Sequence, residues 1–332
     1  MLGQEQFVDG RRLAVLGFWE VARHFLFFRK LMSQCVREVE RRRPSAIVLV
    51  DYPGFNLRLA ERVKHLGIPI IYYISPQVWA WGGQRLEQIH RLVDLMLPIL
   101  PFEKNVFDNS GVNNQYVGHY LLEDIPEKYI SSKVPTDGHL AVLPGSRPQE
   151  IERHLRPMLE TAEMLHRQHG LATVVAAVRG VYDYESALRE FSGTDVTVVY
   201  DDPRGVVYDA SLALVASGTA TLETAIIGRP MVVMYKTGWI TYQIARRLVK
   251  LNHIALANLV LGKRVVPELI QHQATPKMMA AELERYLDDQ PYRESTISDL
   301  HRTPAILGGR GASRRAAQAI MDLIDSRSGG AV

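Results

Sequence analysis

The stretch HLAVLPGSRPQE, residues 139–150, decides the class of fold. His139–Leu143 is apolar without period-2 alternation, which is how a strand buried on both faces of a helix-covered parallel sheet reads. Pro144-Gly145 breaks the run, and a helical pattern over Glu150–His169 follows at once. Strand, tight glycine turn and helix are the parts of a doubly wound α/β sheet, whose ligands bind beyond the carboxyl ends of the strands.

The same alternation extends in both directions. Towards the C-terminus, Thr173–Val178, Val196–Tyr200, Ser211–Val215 and Pro230–Tyr235 read as strands, with helical stretches at Tyr182–Phe191 and Thr219–Ile227. Towards the N-terminus, Ala46–Val50, Pro69–Ile74 and Leu92–Leu97 read as strands, with helices over Glu20–Arg43 and Asn56–Leu66. The polar, proline-containing stretch Glu123–Gly138 has no clear period and is the expected joint. Two doubly wound domains facing a cleft are therefore expected.

Bulk composition bounds the function. The chain has 332 residues, 47% hydrophobic and 23% charged, which is ample for packed cores and excludes global disorder. A net charge of +3 without a basic cluster gives no nucleic-acid footprint. Cys35 is the single cysteine, so no intramolecular disulfide can form, and a buried or half-buried thiol is expected there over a nucleophile. Residues 1–12 lack a signal-peptide core, and no apolar run reaches the roughly 18 residues of a membrane span. The expected location is cytoplasmic, either soluble or attached to a membrane surface.

Two post-strand loops are suited to phosphate. In LPGSR (143–147), Gly145 permits close backbone approach, Ser146 and the helix start offer donors, and Arg147 adds a planar cation. In ASGTATLE (216–223), Ser217, Gly218 and Thr219 open a helix, and Glu223, a turn further on, could accept from ribose hydroxyls. The structural alternative for the first loop is a turn whose Ser caps the helix and whose Arg pairs with surface carboxylates, and for the second a Ser/Thr N-cap with a stabilising first-turn acid. No GxGxxG, P-loop or metal-ligand spacing is present, so no metal is expected. In DYPGFN (51–56), Asp51 ends a strand and is a candidate general base or a turn cap. Two tryptophans in SPQVWAW (75–81) could form a sugar-stacking wall or simply pack. Phe18, Trp19 and Phe25–Phe28, with Arg23, Arg29 and Lys30, have the makeup of a membrane-interface surface or of a buried helix.

Taken together, LAVLGFWEV (13–21), DYPGFN, YYISPQVWAW (72–81), LPFEK (100–104), VGH (117–119), LPGSRPQEIE (143–152), LVASGTATLE (214–223), PMVVMYK (230–236) and LANLVLGKRVVPELIQ (256–271) resemble the lipid-A-disaccharide synthases, in that family's order. The resemblance implies a GT-B fold and a metal-free reaction. That reaction joins UDP-2,3-diacylglucosamine to 2,3-diacylglucosamine 1-phosphate and gives a β-1,6-linked disaccharide phosphate and UDP. It implies Asp51 as the base on the acceptor hydroxyl and Arg147 at the pyrophosphate. Gly145, Ser146, Ser217, Gly218, Thr219 and Glu223 would hold the nucleotide, and Asn258, Glu268 and Gln271 would line the donor side. It further implies an acceptor and lipid-side domain at 1–130, a donor domain at 138–307, and a last helix within 308–332 returning to the first domain. The protein would work at the inner face of a bacterial inner membrane. Family members carry a strand, a Gly-Glu-x-Ser-Gly-Asp loop and a helix ahead of LAVLG, whereas LAVLG begins at residue 13 here. That opening unit is expected to be missing, which leaves apolar sheet edges open. A truncated, inactive nucleotide-sugar or lipid-binding relative, or another GT-B UDP-sugar enzyme, are the other readings.

Overall fold

The computed structural model describes residues 25–81, 84–238, 242–243 and 253–328. The LAVLGFWEV segment, with Phe18, Trp19 and Arg23, lies outside the described residues, as do the side chains of Phe25 and Trp81.

The first part of the chain runs α1 (Phe25–Arg42), β1 (Ile47–Val50), α2 (Pro53–Val63), β2 (Ile70–Tyr73), α3 (Val78–Trp81), α4 (Gln84–Leu92), β3 (Leu95–Leu97), α5 (Pro101–Asp108) and α6 (Leu121–Asp124). The second part runs β4 (His139–Leu143), α7 (Pro148–His169), β5 (Thr173–Ala177), α8 (Tyr184–Leu188), β6 (Val196–Tyr200), α9 (Pro203–Tyr208), β7 (Ala210–Ala216), α10 (Thr219–Ile227) and β8 (Met231–Tyr235). It closes with α11 (Leu256–Leu261), β9 (Glu268–Ile270), α12 (Pro276–Asp288), α13 (Gln290–Leu300), α14 (Thr303–Ile306) and α15 (Ala312–Ser328).

Among the described residues there are two sheets, both wholly parallel: β1-β2-β3, and β6-β5-β4-β7-β8-β9. In the larger sheet the chain winds outward from β4 to β6, returns to β7 and winds outward again. Its order therefore reverses between β4 and β7, the topological switch point of a doubly wound sheet. Both faces are covered, as the unbroken apolar runs require. Leu140, Val142, Leu212, Leu214, Val232 and Met234 pack with α7 and α12 on one side. Ala141, Leu143, Ala213, Val215, Met231 and Val233 lie on the other side, in a core that also takes in Ile71, Leu95 and Leu97 of the small sheet. One apolar core thus joins the two sheets. The opposite face of the small sheet packs on the helices around it through Ile47, Leu49, Ile70, Tyr72 and Met96. On β1, Val48 and Val50 stay 42% and 49% exposed.

The final helix runs back to the first sheet. Arg315 donates Nε–H to the carbonyl of Val117 at 2.8 Å, Ser313 bonds Glu123 through both its amide and its hydroxyl, and Arg327 pairs with Asp94 at 2.6 Å.

Three local expectations need correction. The run Leu92–Leu97 is not all strand. Leu92 ends α4, and Asp94 turns its carboxylate to the Ile70 amide, Lys64 and Arg327, so β3 starts at Leu95. The helix expected from Asn56 starts at Pro53, because proline suits the first helical position, where an N–H has no partner to lose. The stretch expected as a helix over Tyr182–Phe191 is only α8 and a 3₁₀ turn, with Asp183 capping it by accepting from the Ser186 amide.

Candidate functional site

At the carboxyl edge of the large sheet lies a cavity of about 430 Å³. It spans the ends of four neighbouring strands: Gly145–Arg147 after β4, Ala176–Val178 at β5, Asp201 and Pro203 after β6, and Ala216–Ala220 with Glu223 after β7. The LPGSR and SGTATLE loops therefore share one site, and it sits at the switch point. Gly145 has φ 117°, and a Cβ there would press on Glu150 at 2.9–3.0 Å, so only glycine lets the chain turn this tightly into α7. Gly218 caps α10 with φ 156° and ψ −160°, a region open essentially to glycine, and no side chain caps that helix. The Thr221 amide bonds back to the carbonyl of Gly218 at 3.1 Å, and the helix end ahead of it favours an anion.

The charged residues of the cavity have partners. Arg147 has a side chain 79% exposed and pairs with Glu150 at 2.8 Å, a weak surface pair that a phosphate could displace. Glu223 is engaged by Arg204, whose Nε and Nη2 both lie 2.8 Å from its Oε1. The Ser217 hydroxyl donates to the carbonyl of Ile254 at 3.2 Å, while Ser146, Gly218 and Thr219 are exposed at the cavity mouth.

Asn258, Glu268 and Gln271 do not line this cavity; the backbone takes up their polar atoms. Asn258 is fully buried. Its Oδ1 accepts from the amides of Val265 and Val266, and its Nδ2 donates to the carbonyl of Val266 and to Glu268 at 2.7 Å. Glu268 also accepts from the amides of Ile254 and Ala255. Gln271 clasps Thr237 through both its amide and its carbonyl, and His154, wholly buried, bridges Pro144 to Lys236. Buried polar groups must be hydrogen-bonded, and here they brace loops. A sequence shows an asparagine or glutamate in a polar motif, not whether its capacity is already spent.

The small sheet carries its candidate residues at the carboxyl ends of its strands. Asp51 and Tyr52 after β1 have φ 47° and 46°, and Ile74 after β2 has φ 62°. Left-handed backbone is unfavourable for such residues, above all for β-branched isoleucine, and it gathers at functional sites. The bend is held by the carbonyl of Asp51, which accepts from the Tyr72 hydroxyl at 2.6 Å and from Asn56 Nδ2 at 2.7 Å. The Asp51 side chain is exposed. Tyr120 caps α6, in the segment that leads from the small sheet to the large one. Its phenol pKa is raised by burial, then by the carboxylates of Asp124, Asp51 and Glu223, with Arg204 opposing. Asp51 and Glu223 thus act electrostatically on one hydroxyl, although they belong to different sheets.

Two residues near these loops, one on each sheet, were not singled out from sequence. Glu103 is buried at the start of α5. It accepts from Trp79 Nε1 and from the Leu100 amide, both at 3.0 Å, and its pKa is raised by burial. It fixes the indole of the SPQVW segment, which stands edge-on to Phe102 at 5.1 Å. The signal was there: proline at the first helical position and glutamate at the third open many helices. Arg204, the second residue of α9 after β6, carried no comparable signal.

Residues 2–322 match the family model described as lipid-A-disaccharide synthetase. The lipid-A-disaccharide synthase of Anaeromyxobacter dehalogenans (strain 2CP-C) is 42% identical over 331 residues, 97% of this chain and 86% of that protein. Among solved structures, the S. aureus MnaA–UDP complex superposes with a TM-score of 0.62 at 12% identity, covering 90% of this chain and 81% of that one. MurG of Acinetobacter baumannii superposes with a TM-score of 0.55 at 14% identity, covering 91% and 80%. At such low identity these structures speak to the fold, which is GT-B; of its two parallel sheets the six-stranded one is doubly wound, whereas the described strands of the small one follow in simple order β1-β2-β3, without the reversal expected of a doubly wound domain. The family match over nearly the whole chain, with the relative at 42% identity, places this chain in the lipid-A-disaccharide synthetase family.

Proposed function

We propose that the chain transfers 2,3-diacylglucosamine from UDP-2,3-diacylglucosamine to a hydroxyl of 2,3-diacylglucosamine 1-phosphate, with inversion, at the inner face of the bacterial inner membrane. The observation that carries this reading is the cavity at the switch point, where the glycine turn of LPGSR and the uncapped start of α10 meet.

The pyrophosphate of the donor lies against Gly145–Arg147 and the amides of Gly218–Ala220. Arg147 leaves Glu150 to pair with it, and Glu223 accepts from the ribose. The acceptor enters from the small sheet. Its hydroxyl gives its proton to Asp51 as its oxygen attacks the anomeric carbon. The bond from that carbon to the UDP oxygen breaks, and the electron pair leaves with UDP. A base on one side and donors on the other are what a single inverting displacement needs. The chain's own groups carry the charge, so no divalent cation takes part.

A thermal melt tests the donor site. UDP raises the melting temperature, because it binds the folded state alone, and EDTA leaves the shift intact. Incubation with the two diacylglucosamine substrates then yields the disaccharide phosphate and UDP, read by mass spectrometry. A UDP-stabilised protein that makes no disaccharide from them would remove the assignment of substrates.

A further inference from the structure

Arg204 is not among the residues that line the cavity; it stands behind its wall. It is the second residue of α9, whose start is fixed by Pro203 and by Asp202, which accepts from the Gly205 amide at 2.9 Å. Its side chain is 28% exposed, that of Glu223 19%. Its guanidinium is used in two directions. Nε and Nη2 meet Oε1 of Glu223, each at 2.8 Å, and Nη1 donates to the carbonyl of Asp124 at 2.8 Å. Asp124 ends α6, in the segment that leads from the small sheet to the large one. Arg310 donates to the carbonyls on either side of it, Glu123 and Ile125, at 3.3 Å. Arg204 therefore ties a carboxylate of the cavity to a segment that two arginines hold in place.

A surface ion pair would merit no role, since it contributes little. This pair differs in geometry. A planar fork that meets one oxygen through two nitrogens, with its third nitrogen anchored elsewhere, fixes the carboxylate in direction as well as in distance. Both contacts fall on Oε1 of Glu223, which leaves Oε2 to accept from a ligand. We propose that Arg204 is a positioning residue, holding Glu223 so that its second oxygen receives a ribose hydroxyl of the uridine nucleotide. The proposal rests on the reading of the cavity as the donor site and of Glu223 as its ribose partner.

The readout is selectivity for the ribose hydroxyls, which a merely structural residue would not alter. Calorimetric titration of the full chain with UDP and with 2′,3′-dideoxy-UDP gives two affinities and their ratio. The wild type prefers UDP by about 10- to 100-fold, the usual worth of a hydrogen bond to a charged group. In Glu223→Ala that ratio falls to within about threefold. Arg204→Ala shows the same fall while keeping its affinity for the dideoxy compound, and the double variant loses no more selectivity than either single one. Arg204→Gln carries the same expectation if the alanine variant does not fold. A wild-type ratio in either Arg204 variant overturns the proposal. A wild type that does not distinguish the two nucleotides overturns instead the reading of Glu223 on which it rests, a failure visible without any variant.

Discussion

Asp51 ends β1 in left-handed backbone, and the groups that hold it there act on its carbonyl, not on its carboxylate. The carboxylate can therefore be altered without releasing the bend. Asp51→Asn is expected to fold and to keep its UDP-induced rise in melting temperature, while turnover falls by about 10²–10⁴-fold, the worth of a positioned base. Turnover within a few-fold of wild type would mean that another group takes the proton. His119 offers a second test at this scale. It is 4% exposed and stacked on Tyr120 at 4.9 Å; its Nδ1 accepts from the Leu121 amide, and burial lowers its pKa to about 4. Between pH 6.5 and 4 the unfolded chain binds a proton that the folded chain refuses, so stability is lost as pH falls through that window. From the shift of pKa, the loss attributable to His119 is on the order of 3 kcal/mol. His119→Asn retains an acceptor for Leu121 but does not titrate, so urea unfolding at pH 7 and pH 4.5 should show a smaller drop than in wild type. Equal drops in the two proteins would assign the acid sensitivity elsewhere.

At the scale of elements, the turns after β8 and before α11 are held by side chains that resemble ligand contacts in sequence. Asn258, Glu268, Gln271 and His154 satisfy backbone groups of Val265, Val266, Ile254, Ala255, Thr237, Pro144 and Lys236. Asn258→Ala leaves two buried amides and a carbonyl without partners, which should cost on the order of 3 kcal/mol in chemical denaturation. The folded variant should bind UDP within about threefold of wild type, because nothing in the cavity lining has changed. Unchanged stability with a hundredfold weaker UDP affinity would return Asn258 to the ligand.

For the whole molecule, the proposed contact with a lipid surface has a candidate patch. Leu26 is 75% exposed and Tyr52 43% exposed, and Phe28 lies 6.4 Å from both Tyr52 and Phe55 by ring centres. Arg29 and Lys30 are exposed on the same first turns of α1. This aromatic and cationic patch adjoins the bend that carries Asp51, so a lipid acceptor drawn from a bilayer would arrive beside the residue proposed as base. Sedimentation with anionic vesicles should show binding that weakens with salt. Arg29→Glu with Lys30→Glu should reduce binding by about fivefold or more per charge while sparing UDP binding. Vesicle binding that ignores both salt and these substitutions would place the membrane contact on another surface.

How much could be read without coordinates differs by kind of residue. Unbroken apolar runs such as Leu140–Leu143 and Leu212–Ala216 determined the parallel sheets, because a strand covered on both faces leaves no polar position. Gly145 and Gly218 marked the cavity loops, because only glycine takes their backbone angles. These are local demands, and a sequence states them residue by residue. The pairing of Arg204 with Glu223 spans 19 residues and its bond to Asp124 spans 80, and the return of Arg327 to Asp94 spans 233. Such contacts impose no local pattern, since any surface arginine would look the same. The weak apolar signal of β9, three residues with Glu268 at its head, was likewise too short to stand out from a loop. The chain's own sequence determined which glycine turns follow the strands and line the cavity. Only the tertiary structure decided which polar residues reach that cavity and which are spent on holding the backbone around it, because hydrogen-bonding capacity is allotted by neighbours in space.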